Sequence, residues 1–256
     1  DAQASGDYAT ASGSGALAGA VGATANGSGA VATGVNATAT GYGSVASGQN
    51  SASYGAGAQA NGPGSVAVGG VAVDEDGNPL ITNGGVPVDT GATSAGVGGT
   101  AVGASSQASG FAASSFGVGA YASGAQATAV GAVANAIGDL STAIGTQSAA
   151  TGASSVAVGE SAQATGDESV AVGGSTFFGL IPAQASGYAS SAFGTGAWAT
   201  ADYATALGWN SYADGVSSTA VGESAIAAAA NSVALGASSF NDRANTVSVG
   251  DVGSER

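Results

Sequence analysis

Along most of the chain, apolar and polar residues alternate in short runs, each closed by a glycine. Ser155-Val156-Ala157-Val158-Gly159 shows the longer form and Ala162-Gln163-Ala164-Thr165-Gly166 the shorter. In the longer form the residue before the glycine is large and apolar: Val68, Val102, Phe116, Val130, Ile144, Val158, Val172, Phe193, Leu207, Val221, Leu235 and Val249. Two residues earlier stand Val66, Thr100, Ser114, Thr128, Thr142 or Val156, mostly β-branched. A period of two built on β-branched residues is strand chemistry. The pattern predicts one bulky strand and one alanine strand per repeat. The bulky row is expected to form the core, and the column holding Thr100, Thr128, Thr142, Thr205 and Thr219 to lie inside with it. The intervening Ala67, Ala101, Ala129, Ala143, Ala157 and Ala171 are expected to face outward, where their small size permits close approach of a second copy.

The closing glycines fix how the strands are joined. They fall 14 residues apart at Gly103, Gly117, Gly131, Gly145, Gly159 and Gly173, and again from Gly194 to Gly250, with a second series half a step away at Gly110, Gly124, Gly138, Gly152 and Gly166. Repetition at a fixed short period marks a solenoid, in which each unit buries its apolar face only against its neighbours. A helical heptad would carry glycine in every heptad at about 1 kcal/mol each, which excludes a coiled coil. The fold class is therefore all-β, a parallel β-roll of 14-residue, two-strand coils with glycine at the corners.

Two segments break the period and set the boundaries. Residues 1–69 read as N-terminal coils, 70–93 as a hairpin-like insertion, 94–243 as the main roll with an extended coil at 174–187, and 244–256 as the start of a different element. The first interruption carries Asp74, Asp76 and Asn78 around Gly77, a turn signal whose alternating oxygens lack the glycine and glutamate positions of an EF-hand loop. The second holds Phe177, Phe178, Leu180 and Ile181, an apolar bulge that keeps phase by lengthening one coil to 21 residues. In the coils beyond it, Trp198 and Tyr212 occupy one slot of successive alanine strands, which elsewhere holds Gln59, Gln107, Gln163 and Gln184. They are expected to stack on the outer surface and, with the insertion turn of Asp74, Asp76 and Asn78, are the candidate ligand-binding residues.

Composition narrows the chemistry. The 256 residues include 47 glycines, no histidine, cysteine or methionine, and only Arg243 and Arg256 as bases. That leaves no histidine for acid/base work or ligation, no cysteine thiolate and no lysine for Schiff-base chemistry, so no enzyme, cofactor or metal site is expected. A net charge of −14 argues against nucleic acid as a partner. No 18-residue apolar run is present to span a membrane.

The pentapeptides Ser65–Gly69, Ser155–Gly159 and Ser169–Gly173, set in 14-residue repeats with Ala-x-Ala-Thr-Gly, resemble the head repeats of YadA-like trimeric autotransporter adhesins. The run Asn245–Gly250 followed by Ser254-Glu255-Arg256 is similar to the start of that family's neck. The resemblance implies a left-handed roll, homotrimeric assembly, and display on the bacterial outer membrane through a C-terminal anchor outside this chain. It also implies non-catalytic adhesion to host extracellular matrix of the collagen, fibronectin and laminin class, or to host cell surfaces. The alternatives are a passive spacer carrying a more distal binding domain, and an ice-binding solenoid.

Overall fold

The computed structural model describes residues 1–83, 86–176 and 181–250. The chain divides into two compact units, 1–133 and 134–256. Among the described residues neither unit has a helix, and both alternate two-residue with three-residue strands joined by tight corners. In the second unit, for example, Gln163–Ala164 and Gln184–Ala185 belong to one parallel sheet, Val156–Val158 and Val170–Val172 to the other.

The register follows the glycine period. Val156 pairs with Val170 and Ala149 with Gln163, each 14 residues on. Across the first interruption the partners are Val66 and Thr100, a step of 100 − 66 = 34, and Gln59 and Thr93. Thr93–Ser94 is thus already a regular rung, and the insertion rejoins the roll by residue 92. Across the second, Gln163 pairs with Gln184, a step of 184 − 163 = 21. Val247–Val249 still pairs in register with Val233–Leu235, so coil geometry continues past residue 244. Residues 251–256, where the rest of the neck-like sequence lies, fall outside the described residues.

Backbone pairing runs through the corners as well as the strands. Val156 N donates to Ser169 O at 2.9 Å, while corner Gly159 N donates back to Ile144 O at 2.8 Å and Ser161 N to Thr146 O at 2.9 Å. Little backbone polarity is left unpaired along such a winding. The corner glycines are demanded by this stacking. Gly159 has φ +128, and a Cβ on it would stand 2.5 Å from Gly173 O of the next coil. Gly152 needs no unusual φ, but its Cβ would meet Gly166 O at 2.0 Å.

The interior reverses the predicted facing. Ala67, Ala101, Ala129, Ala143, Ala157 and Ala171 are fully buried inside the roll and cannot meet a partner chain. Alanines of the facing sheet, such as Ala162 and Ala164, and serines such as Ser155 are fully buried with them. The bulky row points outward instead. Phe116 is 40 % exposed, Ile144 41 %, Leu207 47 % and Leu235 44 %; Val130, Phe193 and Val249 are also exposed, and Val68, Val102, Val158, Val172 and Val221 half-buried. Thr100, Thr128, Thr142, Thr205 and Thr219 share that outer face, half-buried. The reason is steric: the two sheets lie so close that only a methyl or hydroxymethyl fits between them, and a leucine facing inward would have no room.

Among the described residues the inward slot admits one larger side chain, Asn241, 1 % exposed and paired with Ala227 in the register. Its Nδ2 donates to Val233 O at 3.0 Å and Thr246 O at 2.8 Å, and its Oδ1 accepts from Thr246 Oγ1 at 2.9 Å and Arg243 N at 3.2 Å. A fully satisfied amide replaces the alanine column there, which meets the general requirement for burying a polar group.

Candidate functional site

Both interruptions leave the roll at the same kind of corner, Gly69-Gly70 in the first unit and Gly173-Gly174 in the second. In the first unit Ser105 ties the two limbs together: Ala72 N donates to its Oγ at 3.0 Å, and its hydroxyl donates to Thr90 O at 3.0 Å. The segment is a hairpin, with Val73 bridging Pro79 and Thr82–Asn83 antiparallel to Val86–Pro87. Ile81 lies against Gly119, where an added Cβ would stand 2.7 Å from Ile81 Cδ1. The return limb from Pro87 to Thr90 overhangs the outward row of Gln59, Thr93 and Gln107, enclosing an open groove of about 360 Å³.

The candidate turn at the hairpin's start closes on itself. Asp74 Oδ1 accepts from Asn78 N at 2.8 Å and Asp76 N at 3.0 Å, and Oδ2 from Asn78 Nδ2 at 3.0 Å. Asp74, Asp76 and Asn78 are therefore brought together as an Asx-type turn. Among the described residues no group of three or more His, Cys, Asp or Glu is placed to hold a metal ion. Hydrogen bonds from the Asn78 side chain and backbone, with smaller ones from Asp76 and Gly77, hold the Asp74 carboxyl below the usual carboxylate range. Because the folded value is depressed, the turn is favoured above the ordinary carboxylate range and loosens as pH falls through the lowered value. In an NMR titration the Asp76 and Asn78 amide resonances are expected to move together with a midpoint below that of a free aspartate; a midpoint at or above it contradicts the turn.

In the second unit Ser175–Thr176 pairs antiparallel with Ile181–Pro182. Phe177, Phe178, Gly179 and Leu180 lie outside the described residues. Trp198 and Tyr212 are register partners with ring centroids 5.3 Å apart and planes tilted by 58°. Trp198 Nε1 donates to Pro182 O at 2.9 Å, and Tyr212 OH to Asn210 Oδ1 at 3.4 Å. The insertion's return thus fixes the indole, a partly wet aromatic with its polar atom satisfied.

A second aromatic pair, Tyr188 and Tyr203, packs edge to face at 5.5 Å on a corner. Tyr188 OH donates to Glu168 Oε1 at 3.0 Å, and this bond, with the carboxylate's charge, raises the tyrosine's pKa. These tyrosines occupy corner slots one residue out of phase, so periodicity does not align them. Corner acids tie neighbouring coils: Asp167 Oδ1 accepts from Ala153 N at 2.8 Å, Asp202 Oδ1 from Tyr188 N at 2.9 Å and Asp214 Oδ1 from Thr200 Oγ1 at 2.7 Å, each from the preceding coil.

The sequence matches the YadA head domain repeat at residues 1–16, 18–44, 46–72, 108–134, 136–159, 150–176, 185–211 and 213–239. The chain belongs to the YadA head family. It is an adhesin-type head domain built from that family's β-roll repeat. Matched segments of the YadA repeat stop at both interruptions, leaving 73–107 and 177–184 unmatched, although Thr93, Thr100 and Gln184 within those ranges already pair as ordinary coil residues. Among solved structures the chain is similar to the collagen-binding domain of the Yersinia adhesin YadA, with 27 % identity, 70 % of this chain and 81 % of that chain covered, and a TM-score of 0.35. No curated protein matches the chain.

Proposed function

We propose that this chain is the binding head of a homotrimeric adhesin displayed on a bacterial outer membrane, and that it attaches to host extracellular matrix without catalysing a reaction. The observation that carries the assembly is the outward row of large apolar side chains on the three-residue strands, from Ile144 to Leu235 in the second unit alone. A contiguous apolar stripe of this kind on an acidic protein marks a protein–protein surface. Two more copies of the same row supply a self-complementary partner without charge conflict. The roll also gains from assembly. An interior of alanine and serine recovers about 0.8 kcal/mol per buried methyl, little against roughly 1.5 kcal/mol per ordered residue.

Ligand contact falls to the opposite, two-residue-strand surface and to the insertions that overhang it. Trp198 with Tyr212, and the turn of Asp74, Asp76 and Asn78, are the proposed contacts there. Fibronectin, laminin and host cell surfaces belong with collagen as candidate ligands, since the acidic surface favours partners with basic segments.

Solid-phase binding of the purified chain to collagen, fibronectin and laminin tests the reading. The chain is expected to bind at least one of them, and Trp198→Ala to weaken that binding by about tenfold, the weight of an aromatic anchor. Absence of binding to all three matrix proteins and to epithelial cells would contradict it and favour a spacer. The ice-binding alternative finds no regular ladder, because Val156, Val170 and Ser191 interrupt the outward column between Thr142 and Thr205.

A further inference from the structure

The groove beneath the first insertion has unspent hydrogen-bonding capacity that neither the roll nor the hairpin uses. Its floor is the outward row Gln59, Thr93 and Gln107, held one coil apart by parallel pairing, and its wall is Pro87, Val88 and Asp89. Thr93 spends its hydroxyl on Gly91 O at 3.2 Å, and Gln59 Oε1 accepts from Asn61 Nδ2 at 3.5 Å. That leaves the Gln59 amide NH2 to donate. The Gln107 amide and the Asp89 carboxylate have no partner among the described residues. Val88, 8 % exposed, and Pro87 contribute an apolar edge.

The kind of ligand follows from what this groove offers and lacks. Strands on the floor are paired on both sides, so no backbone edge is free to take up an extended peptide by strand addition. Recognition must run through side chains. Two carboxamides, each able to donate, and one carboxylate that accepts suit neighbouring hydroxyl groups, which present both donors and acceptors. The apolar edge suits the C–H face of a ring. No lysine or arginine lines the groove, and the chain carries −14, which disfavours anionic ligands such as sialylated or sulfated sugars. A volume of about 360 Å³ lies at the small end of ligand sites, the size for one sugar ring with bridging water.

We infer that this groove is a binding site for a neutral saccharide, with Gln59, Gln107 and Asp89 as its hydrogen-bonding groups. The site stands independently of matrix adhesion and of the Trp198–Tyr212 pair.

Saturation-transfer NMR on the whole chain tests it with methyl glycosides of glucose, galactose, mannose and N-acetylglucosamine, and with N-acetylneuraminic acid as the anionic control. At about 5 mM ligand, near the millimolar affinity that a one-ring ligand reaches, at least one neutral glycoside is expected to show transfer. The Gln59→Ala/Gln107→Ala double variant is expected to reduce it about tenfold, consistent with the loss of two hydrogen bonds. Asp89→Asn, an exposed substitution that leaves the fold intact, is expected to reduce it severalfold, and it decides the matter should the double variant fail to fold. Trp198→Ala should leave the signal unchanged. No transfer to any neutral glycoside, transfer undiminished in Asp89→Asn, or transfer strongest for N-acetylneuraminic acid would each overturn the assignment.

Discussion

Gly152→Ala is expected to unfold the coils around it, lowering stability by about 4 kcal/mol or more, because every atom its Cβ meets is backbone. The new methyl would sit 2.0 Å from Gly166 O, 2.4 Å from Gly166 C and 2.8 Å from Asp167 N of the next coil. None of these can rotate away, and opening the gap would break the ladder above it. Gly43→Asn is the control. Gly43 has φ +60 with nothing within 4 Å of its Cβ, and the same corner slot holds Asn210 at φ 53. Its effect is expected to stay within about 0.5 kcal/mol, as for an ordinary surface change. Chemical denaturation followed by circular dichroism reads both. Similar midpoints for the two variants would mean that coil spacing is not set by glycine contact.

Charging the apolar row is expected to break assembly. Leu207→Asp combined with Val221→Asp puts two carboxylates per chain on the outward face of adjacent rungs, where Leu207 and Val221 are direct pairing partners. Stranding an unpaired charge at a closed apolar interface costs about 3–5 kcal/mol each, or some two to four decades in affinity. Light scattering is expected to show a mass near 3 × 23.2 = 69.6 kDa for the unsubstituted chain and 23.2 kDa for the variant, which also melts at lower temperature. An unchanged mass in the variant would place the interface on another face.

Much of this architecture is legible in the sequence because glycine is compulsory where coils touch. The 14-residue spacing survives both interruptions, and the registers Gln163 with Gln184 and Val66 with Thr100 follow from it directly. Facing was harder to read. Alternation of large and small residues is equally compatible with either side being inside, and size alone favours Val158 over Ala157 as core. Variation in volume along a column decides it the other way. The middle slot holds only Ala67, Ala101, Ser115, Ala129 or Ala143, while the slot after it runs from Ser12 and Thr40 to Phe116 and Leu207. A column of fixed small volume is a filled interior, and a column that tolerates both serine and phenylalanine has space in front of it.

The candidate sites divide in the same manner. Trp198 and Tyr212 share a phase, so their meeting can be anticipated. The groove at Gln59 and Gln107 cannot, because its second wall is the return limb of an insertion whose path no period encodes. Asp89 gives no local signal of facing glutamines from other coils.

In the proposed trimer the outward row of the three-residue strands, not the alanine column, meets neighbouring copies. Cysteine crosslinking tests it most directly, since the chain has no cysteine and any disulfide must join introduced thiols of different chains. Val158→Cys, Val172→Cys and Val221→Cys, made one at a time and oxidised, are expected to give covalent dimers on a denaturing gel, while Gln163→Cys on the opposite face stays single. Dimers from Gln163→Cys with none from the three valine positions would contradict the account.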